Sequence, residues 1–170
     1  GGSNGYEPTD AFHNNAKQQL KELIRQNFNH PSICFWSIFN EIQNPEEPSP
    51  IDFIHELNDL AHSEDPSRLT VGASMLDPKE NIHDITDAIA WNRYFGWYYS
   101  EPKDMGKFLD KIHEDHPDWC IGISEYGAGA SIVQHSAKLE KPNPFGSPHP
   151  EEWQMYYAEQ HMKIYNERPY

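Results

Sequence analysis

Ile33-Cys34-Phe35-Trp36-Ser37-Ile38-Phe39-Asn40-Glu41 is the stretch on which the fold turns. Residues 33–39 are nearly continuously apolar and lie between Asn29-His30-Pro31 and the proline-rich segment QNPEEPSP at 43–50. A short apolar run bounded by breakers, with no helical spacing, reads as a strand buried on both faces, the kind a parallel sheet contains. Upstream, Phe12, Ala16, Leu20, Leu23, Ile24 and Phe28 recur at helical spacing. Thr9 or Asp10 can cap that helix, and the proline at 31 stops it, because the residue before a proline is disfavoured in helix.

Outward from this stretch the alternation repeats. Ser49-Pro50 suits a helix start, and Phe53, Leu57, Leu60 and Ala61 share one side of a helix running to about Glu64. LTVGA (69–73), AIAW (88–91) and WCIGIS (119–124) read as three further strands. Met105, Phe108, Leu109 and Ile112 are in helical register over 102–114. Pro150 opens a last helix, with Glu151 and Glu152 suited to its positive N-terminal dipole. Residues 75–87 are too few for a helix and two loops. Residues 125–150 form a long loop with Gly, Pro and Ser, a length that is usually functional or disordered. The order α-β-α-β-(α)-β-α-β-α places the chain in the α/β class. Four parallel strands make a half-barrel or a small open sheet.

The 170 residues suffice for one compact domain but fall short of the roughly 200–250 of a closed (β/α)8 barrel. Against 27 Asp+Glu stand 13 Lys+Arg, a net charge of −14, which argues against nucleic acid or an anionic membrane as partner. No apolar run approaches the roughly 20 residues of a membrane-spanning helix. Residues 1–10 (GGSNGYEPTD) lack the apolar core of a signal peptide and read as a loop or a leader outside the fold. Cys34 and Cys120 sit inside apolar runs and read as small buried thiols; nothing in their spacing requests a disulfide.

Two carboxylates stand apart from the rest. Glu41 follows directly on the first strand and Glu125 directly on the fourth, so both occupy C-terminal strand ends, where ligands and catalytic groups gather in parallel α/β proteins. The third strand end carries Asn92, Tyr94, Trp97 and Tyr98. Two carboxylates with aromatic neighbours are what glycosidic cleavage uses: one protonates the leaving oxygen, and the other attacks the anomeric carbon or activates a water. By position alone, each glutamate is equally readable as a solvated residue or a helix cap.

The local sequences are more specific. Asn29-His30-Pro31-Ser32-Ile33 leading to Trp36-Ser37-Ile38-Phe39-Asn40-Glu41 resembles the acid/base signature of glycoside hydrolase family 2. Ser124-Glu125-Tyr126-Gly127-Ala128 is similar to its nucleophile signature, and Asn92-Arg93-Tyr94-Phe95-Gly96-Trp97-Tyr98 to the segment between them. The resemblance runs from about Asp10 to Tyr170. It implies a partial (β/α)8 TIM barrel, strands four to seven, belonging to the C-terminal part of a catalytic domain within a larger enzyme with additional domains. It implies Glu41 as general acid/base, Glu125 as nucleophile, Asn40 on the sugar 2-hydroxyl and Tyr94 as hydrogen-bond partner of the nucleophile. Asn92 and Trp97 complete the substrate-binding set. Retention of configuration follows, with an expected carboxyl separation of roughly 5 to 5.5 Å.

The segments Gly127-Ala128-Gly129-Ala130-Ser131 and His149-Pro150-Glu151-Glu152-Trp153-Gln154 look most like the β-galactosidase branch, with β-glucuronidase as the alternative. The Asn-x-Lys element of glucuronidases would lie beyond Tyr170. The partner implied is a small saccharide, with no cofactor and no metal. His113 and His116 are spaced i, i+3 but read as a solvated helix end; Glu46 and Glu47 read as solvated surface. A half-barrel leaves sheet edges uncovered, so self-association is expected. A reading of another class is a non-catalytic carbohydrate-binding or assembly module that uses the tryptophans; its saccharide binding would survive loss of both glutamates.

Overall fold

A computed structural model describes residue 6 and residues 8–42 and 49–170. The proline-rich stretch 43–48, with Glu46 and Glu47, lies outside the described residues. The elements in chain order are α1 (Asp10–Asn27), β1 (Phe35–Asn40), α2 (Ile51–Glu64), β2 (Leu69–Ser74), a short 3-10 helix (Asn81–Asp84), β3 (Ala88–Asn92), α3 (Asp104–Asp115), β4 (Cys120–Glu125) and α4 (Glu151–Asn166). The sheet order is β1-β2-β3-β4, with β1/β2 and β2/β3 parallel. Sequential neighbours joined by helical crossovers are the repeating unit of a (β/α) barrel.

The chain divides into two compact units, one of residues up to Trp91 with Cys120–Gly122, the other of Asn92–Trp119 with Ile123–Tyr170. In the first, α1 and α2 bury one face of β1. Leu20 and Ile24 of α1, Trp36 of β1, and Phe53, Leu57 and Ala61 of α2 form its core. Thr9 caps α1 by accepting the Phe12 N–H at 3.2 Å, as the sequence suggests. At α2 the cap is Pro50 rather than Ser49; the Ser49 hydroxyl accepts from Ile51 N at 3.4 Å.

A buried carboxylate ties this unit together at the N-terminal ends of β1 and β2. Asp65 is 0 % exposed. It accepts the Trp36 indole N–H at 3.0 Å, the Ser67 N–H at 3.0 Å and an Arg68 N–H at 2.6 Å. Arg68 also donates to the carbonyls of Ile33, Phe28 and His30 at 2.9, 2.8 and 3.2 Å. Burial opposes the charge on Asp65, but the bonds from Ser67, Arg68 and Trp36 outweigh it and hold the carboxyl well below the usual carboxylate range.

Two expectations need correction. β1 is not buried on both faces: Trp36 and Phe39 are buried, while Phe35, Ser37 and Asn40 are exposed. The helices cover one face only, so the apolar run does not predict two-sided burial here. For the same reason both thiols are exposed. Cys34 precedes β1, and Cys120 begins β4 on the outward set of its alternation.

In the second unit Trp97, Ala128, Trp153 and Tyr157 form the core. Near its C-terminus, the Arg168 guanidinium makes a bidentate pair with Asp110 at 2.8 and 2.9 Å. Gly106 of α3 leaves room for it, since a Cβ there would stand 2.7 Å from an Arg168 nitrogen. No helix among the described residues is long and apolar enough to cross a membrane.

Candidate active site

In the first unit, the end of β1 is shaped by a close approach. The pairing of β1 with β2 shifts register between Ser37 and Phe39, which brings Phe39 opposite Gly72. A Cβ at Gly72 would lie 2.2 Å from the Phe39 ring, so only glycine fits beneath it. Asn40 closes the strand and is exposed. Glu41 follows with φ 48°, in the left-handed region that residues with a Cβ seldom occupy. That conformation costs about 1–2 kcal/mol. The Glu41 N–H still bonds to the Ala73 carbonyl at 3.0 Å. The chain thus turns sharply while its backbone stays tied to β2, and the half-buried Glu41 carboxyl is set by the turn rather than by the strand's pleat.

In the second unit, Glu125 is the last residue of β4. Three bonds lace it and its neighbour to the end of β3. The Arg93 N–H donates to the Glu125 carbonyl at 2.9 Å. The Ser124 hydroxyl donates to the Asn92 side-chain oxygen. The Tyr94 hydroxyl donates to the Glu125 carboxylate. An ionised carboxylate only accepts hydrogen bonds, so a phenol is a matched partner for it. The Arg93 guanidinium lies 4.8 Å from the Phe108 ring centroid.

The aromatic residues separate into buried and outward sets. Trp97 is 6 % exposed and packs in the core of its unit, with His149 edge-on at 5.1 Å. Asn92 is 2 % exposed, with its side-chain oxygen taken by Ser124. Tyr98 is half exposed, edge-on to Tyr94 at 5.1 Å and stacked with Phe145 at 5.7 Å. Phe145 belongs to the long segment between β4 and α4. That segment is pinned to the start of α4, where the Glu152 carboxylate accepts the Ser136 N–H and a His135 ring N–H, each at 3.0 Å.

Sequence reasoning missed the α4 side chains that hold the residues after Glu125. The Tyr157 hydroxyl oxygen accepts the Gly127 N–H at 3.1 Å, and the Gln154 amide donates to the Ala128 carbonyl at 2.7 Å. Helical spacing marks Trp153 and Tyr157 as core, but no sequence signal says which backbone groups a helix side chain will meet. The histidines are otherwise engaged: His113 stacks on Tyr170 at 4.0 Å and His116 on Trp119 at 3.7 Å. Among the described residues no group of three or more His, Cys, Asp or Glu side chains could hold a metal ion.

Residues 6–166 match the family model described as "Glycosyl hydrolases family 2, TIM barrel domain". The chain belongs to glycosyl hydrolase family 2. Its four-stranded α/β arrangement is therefore part of a TIM barrel. Within family 2 it is 51 % identical over 166 residues to a beta-glucuronidase of Bacteroides fragilis, covering 98 % of this chain and 24 % of that protein. It is 38 % identical over 73 residues to a beta-galactosidase of Thermoanaerobacter pseudethanolicus, covering 42 % of this chain and 9 % of that protein. The crystal structure of an FMN-binding beta-glucuronidase from Facaelibacterium prausnitzii L2-6 superposes with a TM-score of 0.84 at 37 % identity, covering 96 % of this chain and 25 % of that one. The chain spans about a quarter of the length of the two glucuronidases. The crystal structure of a putative beta-galactosidase from Bacteroides fragilis superposes equally well, with a TM-score of 0.84 at 34 % identity, covering 92 % of this chain and 24 % of that one.

Proposed function

We propose that this chain supplies strands four to seven of the catalytic barrel of a family 2 exo-glycosidase, and that the complete enzyme cleaves terminal β-D-glucuronides with retention of configuration. The bond from the Tyr94 hydroxyl to the Glu125 carboxylate carries the reading. It gives the carboxylate at the end of β4 a dedicated donor, which a merely solvated residue would not have. In the proposed reaction Glu125 attacks the anomeric carbon as the glycosidic C–O bond breaks, and Glu41 delivers its proton to the leaving oxygen. Glu41 then takes a proton from water as that water attacks the same carbon and frees Glu125. Asn40 bonds the sugar 2-hydroxyl, while Asn92 and Trp97, 2 and 6 % exposed, back the sugar-binding set from within the second unit rather than line it.

The choice of glucuronide rests on the Bacteroides fragilis beta-glucuronidase. β-Galactoside is the second reading, favoured by residues 127–131 and 149–154 and by the shorter match to a galactosidase. The test is hydrolysis of nitrophenyl β-glucuronide and β-galactoside by the complete enzyme, with the anomer of the first-formed sugar read by NMR. Preference for the glucuronide with a β-product supports the proposal. Inversion overturns the mechanism, and preference for the galactoside overturns the specificity. The 170-residue chain alone is expected to self-associate, since Phe35 and Leu69, paired in register, expose 44 and 48 % of their surface. A monomer by light scattering at high concentration would contradict this.

A further inference from the structure

We infer that α4 is a positioning device for the reacting carboxylate, with Tyr157 and Gln154 as positioning residues that hold the backbone just beyond Glu125 against the segment that carries Tyr94. The inference rests on the reading of Glu125 as nucleophile.

Three side chains from the first half of α4 reach two separate segments. Tyr157 and Gln154 bond to Gly127 and Ala128, the second and third residues after Glu125. Trp153 donates its indole N–H to the Gly96 carbonyl at 3.2 Å, two residues after Tyr94. One rigid helix therefore fixes the chain on the far side of both members of the Tyr94–Glu125 bond. Residues 153, 154 and 157 are i, i+1 and i+4, which places them along one flank of the helix.

The joint is built to last through turnover. Tyr157 is 1 % exposed and Trp153 5 % exposed, so water does not compete freely for their bonds. Burial also pushes the Tyr157 phenol up to about 12, so its oxygen is a neutral hydroxyl across the working range of a hydrolase. The Tyr157 ring stacks on His161 at 4.0 Å, and the His161 ring bonds back to the Tyr157 carbonyl at 2.9 Å, which fixes the ring's direction. Gly96 occupies φ 89°, a conformation that glycine allows, and its carbonyl faces the indole. None of these groups needs to touch substrate. Their effect is on where the Glu125 oxygen stands relative to the anomeric carbon, and a misplacement of about 1 Å can cost about a hundredfold in rate.

The test uses the complete enzyme and a 2-deoxy-2-fluoro glycoside with a good leaving group. Two variants keep side-chain volume and remove one bond each: Tyr157→Phe and Gln154→Met. The second sits on an exposed position and folds independently of how the first behaves. The expected result is labelling of wild type at Glu125 and a first-order glycosylation rate lowered about tenfold to a hundredfold in each variant. KM for the normal substrate should stay within about twofold, since sugar contacts are intact. Wild-type glycosylation rates in both variants would overturn the inference. A rate loss that merely tracks a lowered melting temperature and vanishes on cooling would overturn it too. Labelling of wild type at a residue other than Glu125 would overturn the nucleophile assignment first, and the positioning role with it.

Discussion

Tyr94→Phe removes one oxygen and nothing else. The ring keeps its edge-on contact with Tyr98 at 5.1 Å, and no buried donor is orphaned, because the lost group is the donor itself. The two halves of the proposed reaction feel the change differently. During glycosylation the carboxylate spends its charge on the new C–O bond, so the phenol's bond weakens as the reaction proceeds. During deglycosylation Glu125 is the leaving group and regains its charge, so the bond strengthens toward the transition state. A hydrogen bond to a charged group contributes about 1.5–3 kcal/mol, which slows deglycosylation by about 10- to 150-fold. The covalent intermediate should then accumulate. With a dinitrophenyl glycoside in a stopped-flow instrument, the variant should show a burst of one phenolate per active site followed by a slow steady state. KM should fall together with kcat, as expected when a later step limits turnover. A kcat within twofold of wild type would refute the reasoning. So would a lowered kcat with unchanged KM and no burst.

Asp65→Asn leaves Arg68 without its buried partner and should cost about 3–5 kcal/mol, read from urea melts at pH 7. Because the folded carboxyl is held low, the stability Asp65 contributes is fully present above its ordinary value near about 4 and is lost as pH falls below that, so the variant and wild type should converge in acid. Gly72→Ala drives a methyl into the Phe39 ring and should destabilise by about 1–3 kcal/mol while lowering activity more than the neighbouring Val71→Ala, since the same ring precedes Asn40 and Glu41; equal effects of the two would count against this. Glu152→Ala should leave the fold intact and speed hydrogen exchange at Ser136, whose N–H the carboxylate accepts. The Glu152 carboxyl is held low by backbone N–H groups, its own and that of Ser136, so wild type should lose the same protection only as pH falls below the ordinary carboxylate range.

The alternation of elements was legible because each helix has one covered side and each strand is a short apolar run between breakers. Glu41 and Glu125 stood out because they directly follow such runs. What the pattern could not carry was sidedness. Cys34 and Cys120 lie in apolar runs, yet both are exposed, because hydrophobicity does not state which face of a strand a helix will cover. Nor could it carry the backbone of Glu41. The positive φ of Glu41 comes just after the register shift at Ser37/Phe39, and both are facts of backbone pairing rather than of composition. The ties from Tyr157 and Gln154 to Gly127 and Ala128 join residues about thirty apart in sequence, and no local period encodes them. The β-galactosidase reading leans on two loops, at 127–131 and 149–154, whereas the 51 % identical relative that spans 98 % of the chain is a beta-glucuronidase.

The arginine at 68 changes what the Asn29-His30-Pro31-Ser32-Ile33 motif means. Its guanidinium reads the carbonyls of Phe28, His30 and Ile33, which are backbone atoms that any side chains in that bend would present. The bend that carries this motif is therefore a mortise cut for a tenon some forty residues downstream. A chain with another residue at 41 would still need that bend in order to seat Arg68. A match to the bend alone therefore reports on this buried joint, and the carboxyl that stands after Asn40 has to be read on its own.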